Sequence, residues 1–255
     1  MFRLLKLSPP HGWRAVLWEL GIVTLGVLIA LGAGELLTGY NWKSKAAAGE
    51  RALTGEAQYA GMVFAEQLTV APCIIAQIDG LRAKVIAASD KPLGVPTIET
   101  TAGVSVIRSP VRTLTTDAWT SLLNDGTSAH MKASRELATA EYYAMLGTWV
   151  DISQSARDLH DGLVVLSEPV PLDDRGKYET LRMLGQLRNR IMLQSLKSKF
   201  LLAWLRDLGR LPEASALDAW DKAEAGQNTR SYCTDRRLPL QDWRRVVATV
   251  KPEVI

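Results

Sequence analysis

Apolar and polar positions alternate along this chain in three ways, and each predicts a different element. In the first there is no alternation. From residue 20 to residue 33 the chain is almost wholly apolar, with no charge between Glu19 and Glu35. That run is shorter than the ~20 residues a bilayer core asks for. Its flanks make up the difference: Trp13 and Trp18 precede it, and Tyr40 and Trp42 follow it. From Trp18 to Tyr40 a helix covers roughly 33 Å at 1.5 Å per residue, the spacing of two interfacial aromatic belts. The pattern predicts a transmembrane anchor over residues 15–38, behind a tail of residues 1–14. The alternative is a buried helix of a soluble protein, and the aromatic bracketing argues against it.

The second pattern is helical. Leu53, Ala57, Ala60, Phe64 and Leu68 recur at helix spacing, so the anchor is expected to continue outward as a helix to about residue 70. Pro72 is expected to interrupt it, before a second helix faced by Ile74, Ile78, Leu81 and Val85. Over residues 133–166, Ala138, Tyr142, Met145, Trp149, Ile152, Ala156, Leu159, Leu163 and Leu166 step by four and three, a seam suited to a bundle. Pro169-Val170-Pro171 stops it, and Asp173 is placed to cap the next helix, which runs to about residue 208. Its stripe is Leu181, Leu184, Leu187, Ile191, Leu201 or Leu202, and Leu205, broken by Gln194, Ser195 and Ser198. The short link predicts an antiparallel pair. Two shorter helices are expected at 213–225 and 240–250, with Cys233 in the loop between them.

The third pattern is irregular. Residues 91–113 hold three prolines, two glycines and several threonines around a β-like run, Val104 to Ile107. A short helix is expected at 116–124, closed by the Asp125-Gly126 turn. The fold class is therefore all-α. An N-terminal transmembrane helix leads into a helical-bundle domain, residues 39–255, built on a long antiparallel helical hairpin.

Charge and cysteines add the compartment. The net charge of +3 gives no case for a nucleic-acid partner. Arg3, Lys6 and Arg14 precede the anchor, and Lys43, Lys45 and Arg51 follow it, so the Lys/Arg count alone ties. A basic segment before an apolar run is the signature of export. Cys73 and Cys233 are far apart, which leaves no CxxC motif; in an exported domain they most simply form one disulfide, the alternative being two buried thiols. Both points put the N-terminus in the cytoplasm and the bulk of the chain in an oxidising space. Ala30-Leu31-Gly32 offers a signal-cleavage site, but the long basic segment and the exit-side aromatics favour a retained anchor.

Candidate chemistry is sparse. Gly26, Ala30 and Gly34 form a small-residue stripe of the kind on which membrane helices pack, or else are incidental. Ser128 and His130 lie close in sequence, yet a nucleophile and base need alignment in space and an orienting third group. His160 borders the long seam and reads as a half-exposed helix residue or a pH-sensing one. Arg188 and Arg190 read as surface ion pairs or an anion site beside the polar break, and the Arg236, Arg237, Arg244 and Arg245 cluster as solvated surface or a contact for acidic lipid or a partner. The histidines, His11, His130 and His160, form no ligand-spaced pair, so neither a metal nor a cofactor is expected.

The stretch from Glu19 through Gly26-Val27-Leu28-Ile29-Ala30-Leu31 to Asn41-Trp42 resembles the N-terminal anchor of a family of uncharacterised bacterial single-pass membrane proteins, with an E-x6-G-V-L-I-A-L pattern. Trp119, Asp125-Gly126-Thr127, His130 and Glu168-Pro169-Val170-Pro171-Leu172-Asp173 look like further parts of it. The resemblance implies a single-pass envelope protein and carries no activity. The expectation is a non-enzymatic, inner-membrane-anchored periplasmic protein. It would act by protein–protein interaction as an accessory or scaffolding component of an envelope complex, touching the lipid bilayer and a membrane-protein partner or a second copy. A ligand-sensing helical module that signals through a membrane partner, with its pocket near Gln194, Ser195 and Ser198, is the alternative. A hydrolase using Ser128 and His130 is a third.

Overall fold

A computed structural model describes residues 12–88, 92–100, 103–169 and 171–249. The basic residues Arg3 and Lys6 of the expected tail, with His11, lie outside the described residues. The described chain is all-α with a minor strand pair. Helix α1, Gly12–Ala87, is followed by α2, Asp117–Asn124, α3, Ala133–Gly162, and α4, Asp174–Asp207. Helices α5, Ala214–Lys222, α6, Glu224–Asp235, and α7, Trp243–Thr249, complete it. Strands β1, Ile98–Thr100, and β2, Gly103–Ser105, pair antiparallel within the irregular segment, Ile98 opposite Ser105.

Helix α1 has 76 residues and is about 114 Å long at 1.5 Å per residue. Its first part touches nothing. A window of mean hydropathy 2.1 near the N-terminus contains no buried residue. Trp13, Trp18 and Tyr40 stand exposed, as do the Leu, Ile and Val side chains between them. Thr24 Oγ1 donates to Leu20 O at 2.7 Å, so the hydroxyl within the apolar run is satisfied by its own helix. Gly26, Ala30 and Gly34 share one exposed face.

From Leu53 onward the same helix becomes the centre of a packed domain. Leu53, Ala57, Ala60, Phe64 and Leu68 are buried at the spacing read from the sequence. The helix does not end at Pro72, contrary to expectation. A proline removes one backbone hydrogen bond, at roughly 3 kcal/mol in an isolated helix. Here Val70, Ala71, Cys73 and Ile74 are all buried around it, and packing holds both sides in line. Cys73 is bonded to Cys233. Cys233 lies in α6, not in a loop, so the disulfide ties one helix to another. Pro72 and the polar sequence of α6 hid both facts.

Helices α3 and α4 pack along each other: Met145 meets Lys197, Trp149 meets Ser198, and Thr139 meets Arg210 just past the end of α4. Asp173 caps α4 as expected, its Oδ1 accepting from Gly176 N at 2.7 Å. The face of α3 differs from the expected seam. Tyr142, Trp149 and Ala156 are buried as read, but their companions are Thr139, Leu146 and Ser153, one residue on from Ala138, Met145 and Ile152, which are only half-buried. On α4, Gln194 and Ser198 continue the buried stripe instead of breaking it. Three of these inward polar side chains have polar partners: Thr139 with Arg210, Gln194 with Gln67 and Ser198 with Trp149.

The core is consequently split. One apolar cluster joins Leu53 to Leu68 of α1 with Trp119 and Leu122, Tyr142 to Trp149, and Leu201 to Leu205. A second joins Val70 to Val85 with Val106, Ile107, Ala156, Leu163, Leu166 and Leu184 to Ile191. Between them α1 contributes Glu66 and Gln67, α3 contributes Ser153, and α4 contributes Gln194 and Ser198. All five are buried.

Candidate functional site

That polar layer encloses a cavity. Three helical stripes converge on it: Val63, Glu66, Gln67 and Ile74 from α1; Trp149, Ser153, Ala156 and His160 from α3; Leu187, Ile191 and Gln194 from α4. The α3 and α4 sets repeat at three- and four-residue steps, and in α1 Glu66, Gln67 and Ile74 stand three, four and eleven residues after Val63, so each set lies on one helix face. The extended segment from Ile107 to Arg112 closes the fourth side, with Arg157 at the mouth. The space left for the centres of water-sized molecules is about 50 Å³. At roughly 10–15 Å³ per water it has room for a few waters or a small head group.

The strongest contact in the layer is an ion pair. Arg112 grips Glu66 with two hydrogen bonds, Nε to Oε2 and Nη2 to Oε1, both 2.8 Å. The Glu66 side chain is only 4% exposed, and Arg112 also lies over the Trp220 ring at 5.2 Å. Burial pushes the Glu66 carboxyl above its ordinary range, and the Arg112 hydrogen bonds and charge oppose the rise. A buried pair of this kind adds little net stability, because desolvation offsets the attraction. Its effect is to place a neutral but strongly polar wall beside apolar ones.

The remaining polar groups are held in turn. Gln67 Nε2 donates to Gln194 Oε1 at 3.4 Å. Trp149 Nε1 donates to Ser198 Oγ at 2.9 Å, which takes Ser198 out of the cavity. Ser195 donates back to Ile191 O at 2.9 Å within its own helix. Of the three residues expected to mark a pocket, Gln194 lines it and the two serines do not. His160 Nε2 lies 2.8 Å from both Ser105 Oγ and Ile107 O. A carbonyl oxygen can only accept, so Nε2 carries the proton and Nδ1 turns toward Asp161, 3.6 Å away. The histidine thereby ties α3 to the extended segment at the cavity wall.

Nearer the anchor lies a second buried polar cluster. Arg210, 1% exposed, bonds Glu50 Oε2 through Nη2 at 2.6 Å and Thr139 Oγ1 at 3.4 Å. Glu50 also pairs with Arg135 at 3.1 Å. Glu56 Oε2 accepts from Ala118 N at 3.0 Å and from Thr115 Oγ1 at 3.3 Å. Burial and the Glu56 charge push the Tyr142 and Tyr143 hydroxyls well above the usual phenol range. This cluster clamps α1 to α3 and to the chain after α4, and its Glu50–Arg135 edge borders an open groove beside Ala47, Thr54 and Met131.

The other residues singled out in the sequence fall elsewhere. His130 stacks on Trp42, ring centroids 4.0 Å apart, and Lys45 Nζ stands 4.7 Å from the centre of the same indole. Trp42 is thus half-buried against the domain. Ser128 is buried in the 3-10 turn Thr127–His130 and makes no hydrogen bond with His130 among the described residues. Arg188 Nε bonds Asp79 Oδ1 at 3.1 Å. Arg244 pairs with Asp218, and Arg236 covers the Tyr232 ring. Among the described residues no group of histidine, cysteine, aspartate and glutamate is arranged to hold a metal.

Glu66, Arg112, Glu50 and Arg210 were not singled out in the sequence. A signal existed for Glu66 and Gln67: they stand three and four residues from Val63, on the stripe that should be apolar. Arg112 and Arg210 carry no such mark, since each sits in irregular chain. Comparison with protein-family models, curated proteins and solved structures finds no match to this chain.

Proposed function

We propose that this is a single-pass protein of the bacterial inner membrane, N-terminus in the cytoplasm and helical domain in the periplasm, acting by protein–protein interaction as an accessory or scaffolding component of an envelope complex. The observation that carries the reading is the continuity of α1. One helix is exposed and apolar over its first part and forms the centre of the domain over its last part. A domain built on its own anchor helix stands at a fixed height above the bilayer, which suits a scaffold. The Cys73–Cys233 disulfide fits an oxidising compartment. The helical hairpin of α3 and α4 is the surface such a scaffold would offer, and the E-x6-G-V-L-I-A-L anchor supports kinship with single-pass envelope proteins.

The test is fractionation and topology on the full chain. Protease added to spheroplasts should degrade the domain and spare the cytoplasmic tail, and cross-linking in intact cells should give one discrete adduct of constant stoichiometry. Recovery of full-length protein from the cytosol with two titratable thiols would refute the reading.

A second reading, a ligand-sensing module that signals through a membrane partner, is favoured by one observation. The core is divided by a polar, partly empty layer where a continuous apolar core would be at least as stable.

A further inference from the structure

The cavity between the two apolar clusters holds an incomplete hydrogen-bond pair. Two primary amides facing each other can exchange two hydrogen bonds, yet Gln67 and Gln194 share only the one from Gln67 Nε2 to Gln194 Oε1. Gln67 is 6% exposed and Gln194 5%. Their other ends, Gln67 Oε1 and Gln194 Nε2, have no partner among the described residues, and neither atom is sealed against water-sized molecules. Both residues line the cavity. One acceptor and one donor therefore face the same space. Turning both amides over exchanges the roles and leaves one of each, so the conclusion does not depend on how they are oriented.

We propose that this cavity binds the head group of a small uncharged molecule that presents a hydrogen-bond donor and an acceptor side by side, an amide or lactam, with a short apolar body. The assignment rests on the ligand-sensing reading above. The donor of the head group meets the glutamine carbonyl and its acceptor meets the glutamine NH2. Ile74, Ile107, Leu187 and Ile191 supply apolar wall. The Glu66 carboxylate is already matched by the Arg112 guanidinium, and the Arg157 guanidinium, which has no carboxylate partner among the described residues, is held by Arg112 O and Gln154 Oε1. The size fits a head group of a few heavy atoms, with the body directed to the mouth beside Pro110, Val111 and Arg157.

The experiment uses the full chain in detergent micelles with isobutyramide and 2-piperidone as probes and methyl isobutyrate as the ester that lacks a donor. Melting temperature and saturation-transfer NMR are followed against probe concentration. The expected result is a saturable rise with both amides and binding about tenfold weaker for the ester, the loss of one hydrogen bond. Gln194→Met and Gln67→Met should each weaken isobutyramide by about tenfold or more while the circular dichroism of the unliganded protein is kept. Equal binding of ester and amide overturns the proposal, and that comparison needs no variant. Unchanged amide binding in folded Gln194→Met also overturns it. If the amides fail while small alcohols or carboxylates raise the melting temperature, the head-group assignment falls and the ligand-sensing reading survives. If none of them binds, both fall.

Discussion

Replacing single glycines of α1 by alanine tests the packing directly, because three of them differ only in what the new methyl would meet. At Gly55 an added Cβ finds nothing within 4 Å. Alanine there should stabilise by about 0.8–1.0 kcal/mol, the helix-propensity difference between the two residues. At Gly49 it would lie 2.6 Å from Leu122 Cδ2, the end of a side chain that can turn aside. At Gly61 it would lie 2.6 Å from Pro212 Cδ and 2.7 Å from Cγ, with Leu205 Cδ1 at 3.1 Å. Pro212 is a buried ring with no rotamer to escape into. Overpacking of this kind costs about 1–3 kcal/mol, and two contacts with a rigid ring place it in the upper half of that range. Set against the same propensity gain, Gly61→Ala should lose about 1–2 kcal/mol net.

In a domain of this size each kcal/mol moves the melting temperature by about 2–4 °C. Thermal unfolding of the full chain in detergent, followed by near-UV circular dichroism, should therefore give a graded series. Gly55→Ala should melt about 2–4 °C above wild type, Gly61→Ala about 2–8 °C below it, and Gly49→Ala between the two. The propensity change is common to all three, so any ordering reflects contacts alone. A Gly61→Ala protein as stable as Gly55→Ala would refute the close approach of α1 to the chain after α4.

Three other outcomes follow from the same structure. Cys73→Ser combined with Cys233→Ser opens a loop of 160 residues, which loop-closure entropy makes worth up to about 5 kcal/mol; urea unfolding with and without reductant should show a loss of that order in wild type and none in the double variant. Glu66 has a folded-state carboxyl raised above its unfolded value of 4.5, so the folded form binds the extra proton and wild type should gain stability relative to Glu66→Gln as pH falls through the raised value toward 4.5, levelling off below; a difference that shrinks over that window would reverse the sign. The Tyr142 hydroxyl is buried with no partner among the described residues, so Tyr142→Phe should leave stability unchanged or raise it by up to about 1 kcal/mol in a thermal melt, and a larger loss would reveal a bound partner for that hydroxyl.

The long elements were legible in the sequence because their signals are repeated many times over. The apolar stripe of α1, the Asp173 cap and the Asp125-Gly126 turn each rest on local chemistry, and Gly126 indeed adopts a positive φ of 74°. What escaped reading was non-local. Pro72 breaks a helix only when nothing else holds it, and the burial of its neighbours is a tertiary fact. On α3 the seam is buried at Tyr142, Trp149 and Ala156, while Thr139 and Ser153 take the buried places beside the more apolar Ala138 and Ile152. Helix α6 lacks an apolar stripe, and the disulfide with α1 holds it in place. For the candidate site, Gln194 was noticed as an interruption, while Arg112 sits in irregular chain that periodicity cannot address.

Helix α1 obeys two opposite rules along its length. Between Glu19 and Glu35 it carries no charge on any side, and its hydrophobic side chains stay exposed even with the domain folded. Monomeric soluble proteins rarely expose that much continuous apolar surface, which marks the segment as a candidate membrane span. Beyond Trp42 the same helix narrows to a stripe, and at Glu66 and Gln67 the stripe itself turns polar. The junction is marked by Trp42, held between His130 and Lys45 where the domain begins. The helix has no break between anchor and cavity. A rearrangement of the polar layer at Glu66 and Gln67 therefore acts on a rod that reaches the bilayer about 40 Å away, at 1.5 Å per residue from Gln67 to Tyr40. The scaffold and sensing readings differ at that point: a scaffold needs only the rod's rigidity, whereas a sensor also needs the layer to hold two arrangements.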